Sequence, residues 1–67
     1  MDMSKQPRQT GYVILRDAAG RRHALRPDDV QGVSELDDLG DECVVTVTGG
    51  RMLHILRPLD DILSSLS

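Results

Sequence analysis

Aromatic residues are nearly absent from this sequence, whose 67 residues include one Tyr and no Phe or Trp. A hydrophobic core must therefore be built from Val, Leu, Ile and Met side chains, and such a core is small. Binding of single-stranded nucleic acid by base stacking needs several aromatic platforms, and Tyr12 alone is available. The composition argues against that mode of binding.

Cysteine is also scarce. A single Cys43 cannot form an intramolecular disulfide, and the sequence has no pair of cysteines of the kind that holds structural zinc.

Apolar segments are short as well. Residues 1–10 (MDMSKQPRQT) contain no apolar segment like that of a signal peptide, and no stretch approaches the roughly 18 apolar residues of a membrane span. We therefore expect a cytoplasmic protein without membrane contact.

The length of 67 residues allows one domain at most, and a core of that size offsets the entropy of folding only marginally. We expect a disordered N-terminal arm over residues 1–10, which are polar, and a single β-barrel-like domain over residues 11–67. A partner or a second copy of the chain is expected to help stabilise it.

Charge is unevenly distributed, which the formal net charge of -3 conceals. Residues 11–26 contain Asp17 as their one acid, and their cations are Arg16, Arg21, Arg22 and Arg26. Residues 27–42 contain no cation, and their acids are Asp28, Asp29, Glu35, Asp37, Asp38, Asp41 and Glu42. This pattern predicts a basic first hairpin beside an acidic loop, and ordinary solvated surfaces are the simpler explanation of both.

Five β-prone segments predict strands. They are residues 12–17 (YVILRD), 22–26 (RHALR), 30–36 (VQGVSEL), 43–48 (CVVTVT) and 51–57 (RMLHILR). A turn that ends with Gly20 in the left-handed region is expected to join the first two strands. Gly32 indicates a bend or bulge in the third.

The segments on either side of Gly49 and Gly50 predict a hairpin with a two-residue loop. Thr48 then lies opposite Arg51, and this register fixes both faces. One face carries Cys43, Val45, Val47, Met52, His54 and Leu56, and the other carries Val44, Thr46, Leu53 and Ile55. Because both faces are largely apolar, both need a cover.

One cover is a short C-terminal α-helix predicted over residues 58–66 (PLDDILSSL), where Pro58 suits the first turn. Its apolar stripe consists of Leu59, Ile62, Leu63 and Leu66. Barrel closure or a second subunit must cover the other face. The expected fold is mainly β: a small antiparallel meander of about five strands, forming an SH3-like curved sheet or barrel, plus this helix. A homodimer is expected.

The order of apolar and glycine positions resembles that of a known bacterial family. The positions are Val13, Ile14, Leu15, Gly20, Leu25, Asp29, Val30, Val33, Val45, Thr46, Val47, Thr48, Gly49, Gly50, Leu53, Leu59, Ile62 and Leu63. They are similar to the pattern of the small flagellar, FlbD-like proteins associated with swarming, over most of the chain after Thr10. The same order of elements also resembles the first half of a LytTR DNA-binding domain. The first resemblance implies a non-catalytic protein that contacts flagellar or regulatory machinery.

The residues that catalysis or metal binding would need are few. Cys43 and His54 share a predicted hairpin face, but that face points into the core, where a cysteine acts as a small apolar side chain. His23, His54 and Cys43 match no zinc-ligand spacing. Residues 37–42 (DDLGDE) lack the alternating ligands of a calcium loop, and the glycine pair precedes no lysine or helix as in a phosphate-binding loop. We expect no enzyme activity, catalytic residue, metal or cofactor.

Two classes of function remain. The first is a small regulatory or adaptor protein that binds a protein partner through the first hairpin or an apolar sheet face. A phage-encoded inhibitor of a host protein is an alternative within this class. The candidate partner-binding residues are Tyr12, Arg16, Arg22, His23, Arg26 and His54.

The second class is nucleic-acid binding through the arginines of the first hairpin. If the loop closes with Asp17 near Arg22, Arg16 and Arg22 fall on opposite faces of the strand pair, which weakens the idea of one basic patch. The acidic loop would also oppose the approach of phosphate groups. The sequence therefore favours a protein partner over nucleic acid.

Overall fold

The structure is a computed structural model that describes residues 11–67. The arm expected over residues 1–10 lies outside the described residues. The mainly β fold class is confirmed: five antiparallel strands form two sheets and one helix follows them. The elements are β1 (Val13–Arg16), β2 (Arg22–Leu25), a short 3-10 helix (Pro27–Asp29), β3 (Val30–Glu35), β4 (Cys43–Val47), β5 (Arg51–Ile55) and α1 (Leu59–Leu66).

Strands β1 and β2 form a hairpin of their own, closed by a turn that starts at Asp17. The Gly20 N–H donates to the Asp17 carbonyl at 2.9 Å, and Gly20 has the predicted left-handed backbone with φ 87°. The Asp17 N–H donates to the Arg21 carbonyl at 2.8 Å, so Asp17 lies opposite Arg21. Arg16 therefore pairs directly with Arg22, and the prediction that these two arginines lie on opposite faces is wrong.

Strands β3, β4 and β5 form the second sheet, in that order. The register of β3 against β4 shifts between Val30 and Gly32, which confirms the irregularity predicted at Gly32. The preceding 3-10 helix is tied to the β4–β5 turn, because the Thr48 N–H donates to the Asp29 carbonyl at 2.8 Å. This contact holds one end of the sheet against the segment that follows β2.

The hairpin of β4 and β5 has a three-residue loop, so the predicted two-residue loop is wrong. Val47 pairs with Arg51, and the Gly50 N–H donates to the Val47 carbonyl at 3.1 Å. Both glycines have positive φ, 93° at Gly49 and 82° at Gly50, so both are used to reverse the chain after Thr48. Adding one residue to the loop turns every β5 side chain to the other face of the sheet.

The corrected register gives the sheet one buried face and one exposed face. The buried side chains are Leu15, Leu25, Cys43, Val45, Val47, Leu53, Ile55 and Ile62, and they form one cluster. Both the β1–β2 hairpin and α1 contribute to this cluster, so both cover the same face. On the other face Met52 is 69% exposed, and among residues 11–67 no element covers it.

The two sheets do not close into a barrel within the described chain. One backbone hydrogen bond joins the β1–β2 hairpin to the larger sheet, from the Ala18 N–H to the His54 carbonyl at 2.8 Å. The remaining connection is apolar packing, in which Leu15 and Leu25 lie against the β4–β5 core. The fold is thus an open arrangement of two sheets and a helix around one core.

Helix α1 begins at Leu59, with Pro58 at the N-cap position. Ile62 is fully buried, and Leu59 and Leu66 pack against the core. Leu63, predicted for the same stripe, is instead 46% exposed. No helix in residues 11–67 has the length and apolar character needed to cross a membrane.

Candidate functional site

The outer face of the β1–β2 hairpin brings together four of the six predicted partner-binding residues. Arg16 lies opposite Arg22, and Ile14 lies opposite Ala24 in the next outward row. Continuing the same alternation places Tyr12 and Arg26 in a third row. We call this surface the arginine face, and its members are Tyr12, Ile14, Arg16, Arg22, Ala24 and Arg26, all exposed.

Alternation along the two strands explains why these side chains face outward. Val13, Leu15 and Leu25 pack into the core, so the residues between them must point to the opposite side of the hairpin. A strand rises about 3.4 Å per residue, which places the outermost rows of the arginine face about 14 Å apart. The face therefore has cations at both ends and an apolar centre.

Two contacts within the arginine face restrain its charged groups. The Arg26 guanidinium carbon lies 5.6 Å from the centroid of the Tyr12 ring, a distance typical of a cation–π contact. The Arg16 Nη1 group donates to the Gly20 carbonyl at 3.0 Å. Ile14, between these ends, is 56% exposed. A water-exposed aliphatic side chain flanked by restrained cations is a surface suited to binding.

His23, the fifth predicted residue, does not lie on the arginine face. It pairs with the buried Leu15, and its Nε2 atom lies 2.7 Å from Oδ2 of Asp17. Oδ1 of Asp17 accepts the N–H groups of Ala19 and Arg21, each at 2.9 Å. The hydrogen bond from His23, followed by that from Arg21, lowers the pKa of Asp17. His23 thus stabilises the turn that holds the arginines.

His54, the sixth predicted residue, lies on the outer face of the larger sheet. Its Nε2 atom is 2.6 Å from Oε1 of Glu42. Cys43 is fully buried on the inner face, so the prediction that Cys43 and His54 share a face is wrong for the same register reason. Burial, and then the charge of Glu35, raises the pKa of the Cys43 thiol.

The chain offers no clustered metal ligands in the part that the structure describes. No three His, Cys, Asp or Glu side chains of residues 11–67 lie close enough together to hold a metal ion. His23 and His54 are each bonded to a carboxylate, from Asp17 and Glu42 respectively. Both histidines therefore have identified structural contacts.

An open groove of about 320 Å³ adjoins one end of the arginine face. Its lining residues are Tyr12, Ala24, Leu25, Arg26, Asp29, Val47, Thr48 and Arg51. Arg51 adds a cation from the start of β5, and its place beside the first hairpin was not predicted. Ile14 and Ala24 were also missed, although the period of two along both strands identifies them once the turn length is known.

The acidic loop between β3 and β4 forms an exposed tip, which we define as residues 37–41. A hydrogen bond from the Leu36 N–H to the Glu42 carbonyl, 2.9 Å long, closes its base. The Asp37 Oδ1 atom accepts the Leu39 N–H at 3.0 Å. Leu39 is 78% exposed, with aspartates on both sides of it in sequence. An apolar side chain is thus presented to water among carboxylates.

Comparisons with known proteins give no relative for this arrangement: no family model, curated protein or solved structure matches the chain.

Proposed function

We propose that this is a non-catalytic, cytoplasmic regulatory or adaptor protein that binds another protein through its arginine face. The observation that carries the proposal is the position of Ile14, exposed between rows of cations on one side of the hairpin. Protein interfaces combine such an apolar centre with a polar rim, and arginine is enriched in them. The expected partner surface is anionic with an apolar residue at its centre.

The chemical state of the other reactive side chains agrees with a binding role. The Cys43 thiol is buried and its pKa is raised, which keeps it protonated and apolar. His23 and His54 hold carboxylates of neighbouring loops. These residues stabilise the fold around the arginine face, and the face itself supplies the contact with the partner.

Nucleic-acid binding is the second candidate, and the observed register favours it more than the predicted register did. Arg16 and Arg22 are direct cross-strand neighbours, so their charges can act together on phosphate groups. The centre of the face is apolar, however, and the chain as a whole has a net charge of -3. A protein partner therefore fits the whole face better than a row of phosphates does.

The test is capture of partners from the native host with the tagged full-length chain, followed by reconstitution with the purified partner. The face variant is the double substitution Arg16→Ser with Arg22→Ser. Its charge-matched control is Gln31→Glu with Ser64→Glu, at two exposed positions outside the face. We expect the dissociation constant to rise about tenfold or more in the face variant and to change less than about threefold in the control.

Equal partner binding by wild type and the face variant would refute the proposal. A short DNA duplex and a short RNA, titrated at low and high salt, test the second candidate. Salt-dependent affinity that the face variant loses would support nucleic-acid binding instead, because phosphate contacts release counterions. A flagellar gene neighbourhood would support the FlbD-like interpretation, and a prophage neighbourhood would support the inhibitor interpretation.

A further inference from the structure

We propose that the arginine face binds the acidic tip of a second copy of this chain, so that the protein self-associates. The proposal rests on the proposed function, in that it uses the same face, and it names the occupant. Its basis is that one molecule carries two exposed surfaces of opposite charge. Each has an aliphatic side chain at its centre, Ile14 on the face and Leu39 on the tip.

The two surfaces share the sequence separation between the aliphatic side chain and one charged group. Ile14 precedes Arg16 by two residues, and Leu39 precedes Asp41 by two residues. Because two residues of chain span at most about 7 Å, carboxylates of the tip can reach guanidinium groups while Leu39 lies over Ile14. Arginine and carboxylate groups form the geometrically best-matched ion pairs in proteins.

The aliphatic centres of both surfaces are open to water within one molecule. Ile14 is 56% exposed and Leu39 is 78% exposed, so the tip of a chain does not cover that chain's own face. In the proposed dimer a two-fold axis relates the copies, so that each tip lies on the other copy's face and the two contacts are equivalent. Each contact removes two exposed aliphatic side chains, Ile14 and Leu39, from water. This burial adds to the stability that the small core supplies.

The alternative anion, a nucleic-acid strand, fits the face less well. Its phosphates would place charge over Ile14 and Ala24, which offer no cation. It would also leave Leu39 in water and bring phosphate towards a molecule with an excess of acids. The tip instead places Leu39 among its carboxylates, so an aliphatic side chain is available to cover Ile14.

A charge-reversal experiment tests the contact directly. The face-reversed variant carries Arg16→Glu and Arg22→Glu. The tip-reversed variant carries Asp38→Lys and Asp41→Lys, and it keeps Asp37, whose carboxylate accepts the Leu39 N–H. Each variant alone has face and tip of like charge, whereas a mixture of the two restores opposite charges at both contacts.

Sedimentation velocity with interference optics gives the mass, since a chain with one Tyr and no Trp absorbs weakly. Native mass spectrometry distinguishes the mixed dimer from either homodimer. We expect wild type to form dimers of twice its 7.4 kDa mass, and each variant alone to lose about tenfold or more in self-affinity. The equimolar mixture is expected to recover mixed dimers, and circular dichroism verifies that both variants fold.

A second pair of variants tests the apolar part without changing charge. Leu39→Ser removes the centre of the tip, and Met52→Ser removes a side chain of similar exposure, 69%, on the outer face of the larger sheet. Leu39→Ser is expected to weaken self-association several-fold, and Met52→Ser to leave it unchanged. Equal effects of the two substitutions would contradict the proposal.

The outcomes separate this inference from the proposed function. A wild-type chain that stays monomeric at millimolar concentration, or a mixture that forms no mixed dimer, overturns self-association through face and tip. Loss of a different protein partner in the Arg16→Ser, Arg22→Ser variant would then still support the proposed function. Salt-dependent oligonucleotide binding by monomeric wild type would overturn the inference in favour of nucleic acid.

Discussion

The Nε2 atom of His23 lies 2.7 Å from the Oδ2 atom of Asp17, and this contact ties strand β2 to the turn that follows strand β1. The other Asp17 oxygen accepts two backbone N–H groups of the same turn. A carboxylate that accepts several hydrogen bonds is held in its ionised form. The geometry of the arginine face therefore depends on the ionisation of one side chain beneath it.

Acidification is expected to destabilise the first hairpin through Asp17. Its folded pKa is lowered from the ordinary value of 3.8, mainly by the hydrogen bond from His23. The resulting stabilisation is present above pH 3.8 and is lost as the pH falls through the lower folded pKa. Thermal unfolding of wild type and Asp17→Asn should show a gap in midpoint temperature at pH 7 that closes in acid.

Asp28→Asn is the control for that experiment, since it removes one exposed carboxylate outside both the hairpin and the acidic tip. Equal midpoint temperatures of wild type and Asp17→Asn at pH 7 would contradict the assigned role of Asp17.

The Cys43 thiol is expected to resist modification in the folded chain. It is fully buried, and burial raises its pKa, so both access and thiolate formation are suppressed. Labelling by a thiol-reactive disulfide reagent at pH 8 should be slower than in denaturant by about a hundredfold or more, because it requires opening of the core. Equally fast labelling in both conditions would place Cys43 at the surface.

Docking of helix α1 is expected to depend on Ile62. This side chain is fully buried, and truncating a buried Ile to Ala costs about 2–5 kcal/mol. A core of this size supplies about 3–5 kcal/mol, so Ile62→Ala should leave much of the chain unfolded by circular dichroism. Leu63→Ala, at a neighbouring residue that is 46% exposed, should cost less than about 1 kcal/mol. Similar losses in the two variants would show that the helix docks differently.

A side chain at Gly49 is expected to strain the β4–β5 loop. Its φ of 93° lies in the left-handed region, where an L-residue costs about 1–2 kcal/mol. Gly49→Ala should therefore lower the free energy of unfolding by about that amount. Gly32→Ala is the matched control, because its added Cβ meets nothing within 4 Å and its φ is not positive. Urea titration of both variants measures their free energies of unfolding. A larger loss in Gly49→Ala than in Gly32→Ala indicates backbone strain at Gly49.

The strands and the helix could be predicted from sequence because each depends on local patterns. Gly20 closes the first turn in the conformation that glycine favours, and Gly32 marks the register shift in β3. Ile62 is buried as the helical period requires. These features follow from neighbouring residues, so a single sequence is sufficient to indicate them.

The faces could not be predicted, because they depend on loop length. A pair of glycines suits a two-residue loop, but the observed loop also includes Thr48, whose N–H is held by the distant Asp29 carbonyl. Because the loop is one residue longer than predicted, Leu53 lies on the inner face where His54 was predicted. The same error at the first turn separated Arg16 from Arg22 in the prediction. At the first turn, backbone hydrogen bonds of Asp17 with Gly20 and Arg21 fix the register, whereas at the β4–β5 loop a distant residue, Asp29, takes part.

The hydrogen bond from the Ala18 N–H to the His54 carbonyl is the one backbone hydrogen bond between the β1–β2 hairpin and the larger sheet in residues 11–67. The hairpin can therefore detach by losing that bond and the packing of Val13, Leu15 and Leu25, while β3, β4 and β5 keep their mutual pairing. In amide hydrogen exchange such a unit opens at a lower free energy than the rest of the fold. A partner bound to the arginine face would slow amide exchange first in β1 and β2. Slower exchange in these two strands therefore reports partner binding without any label on the protein.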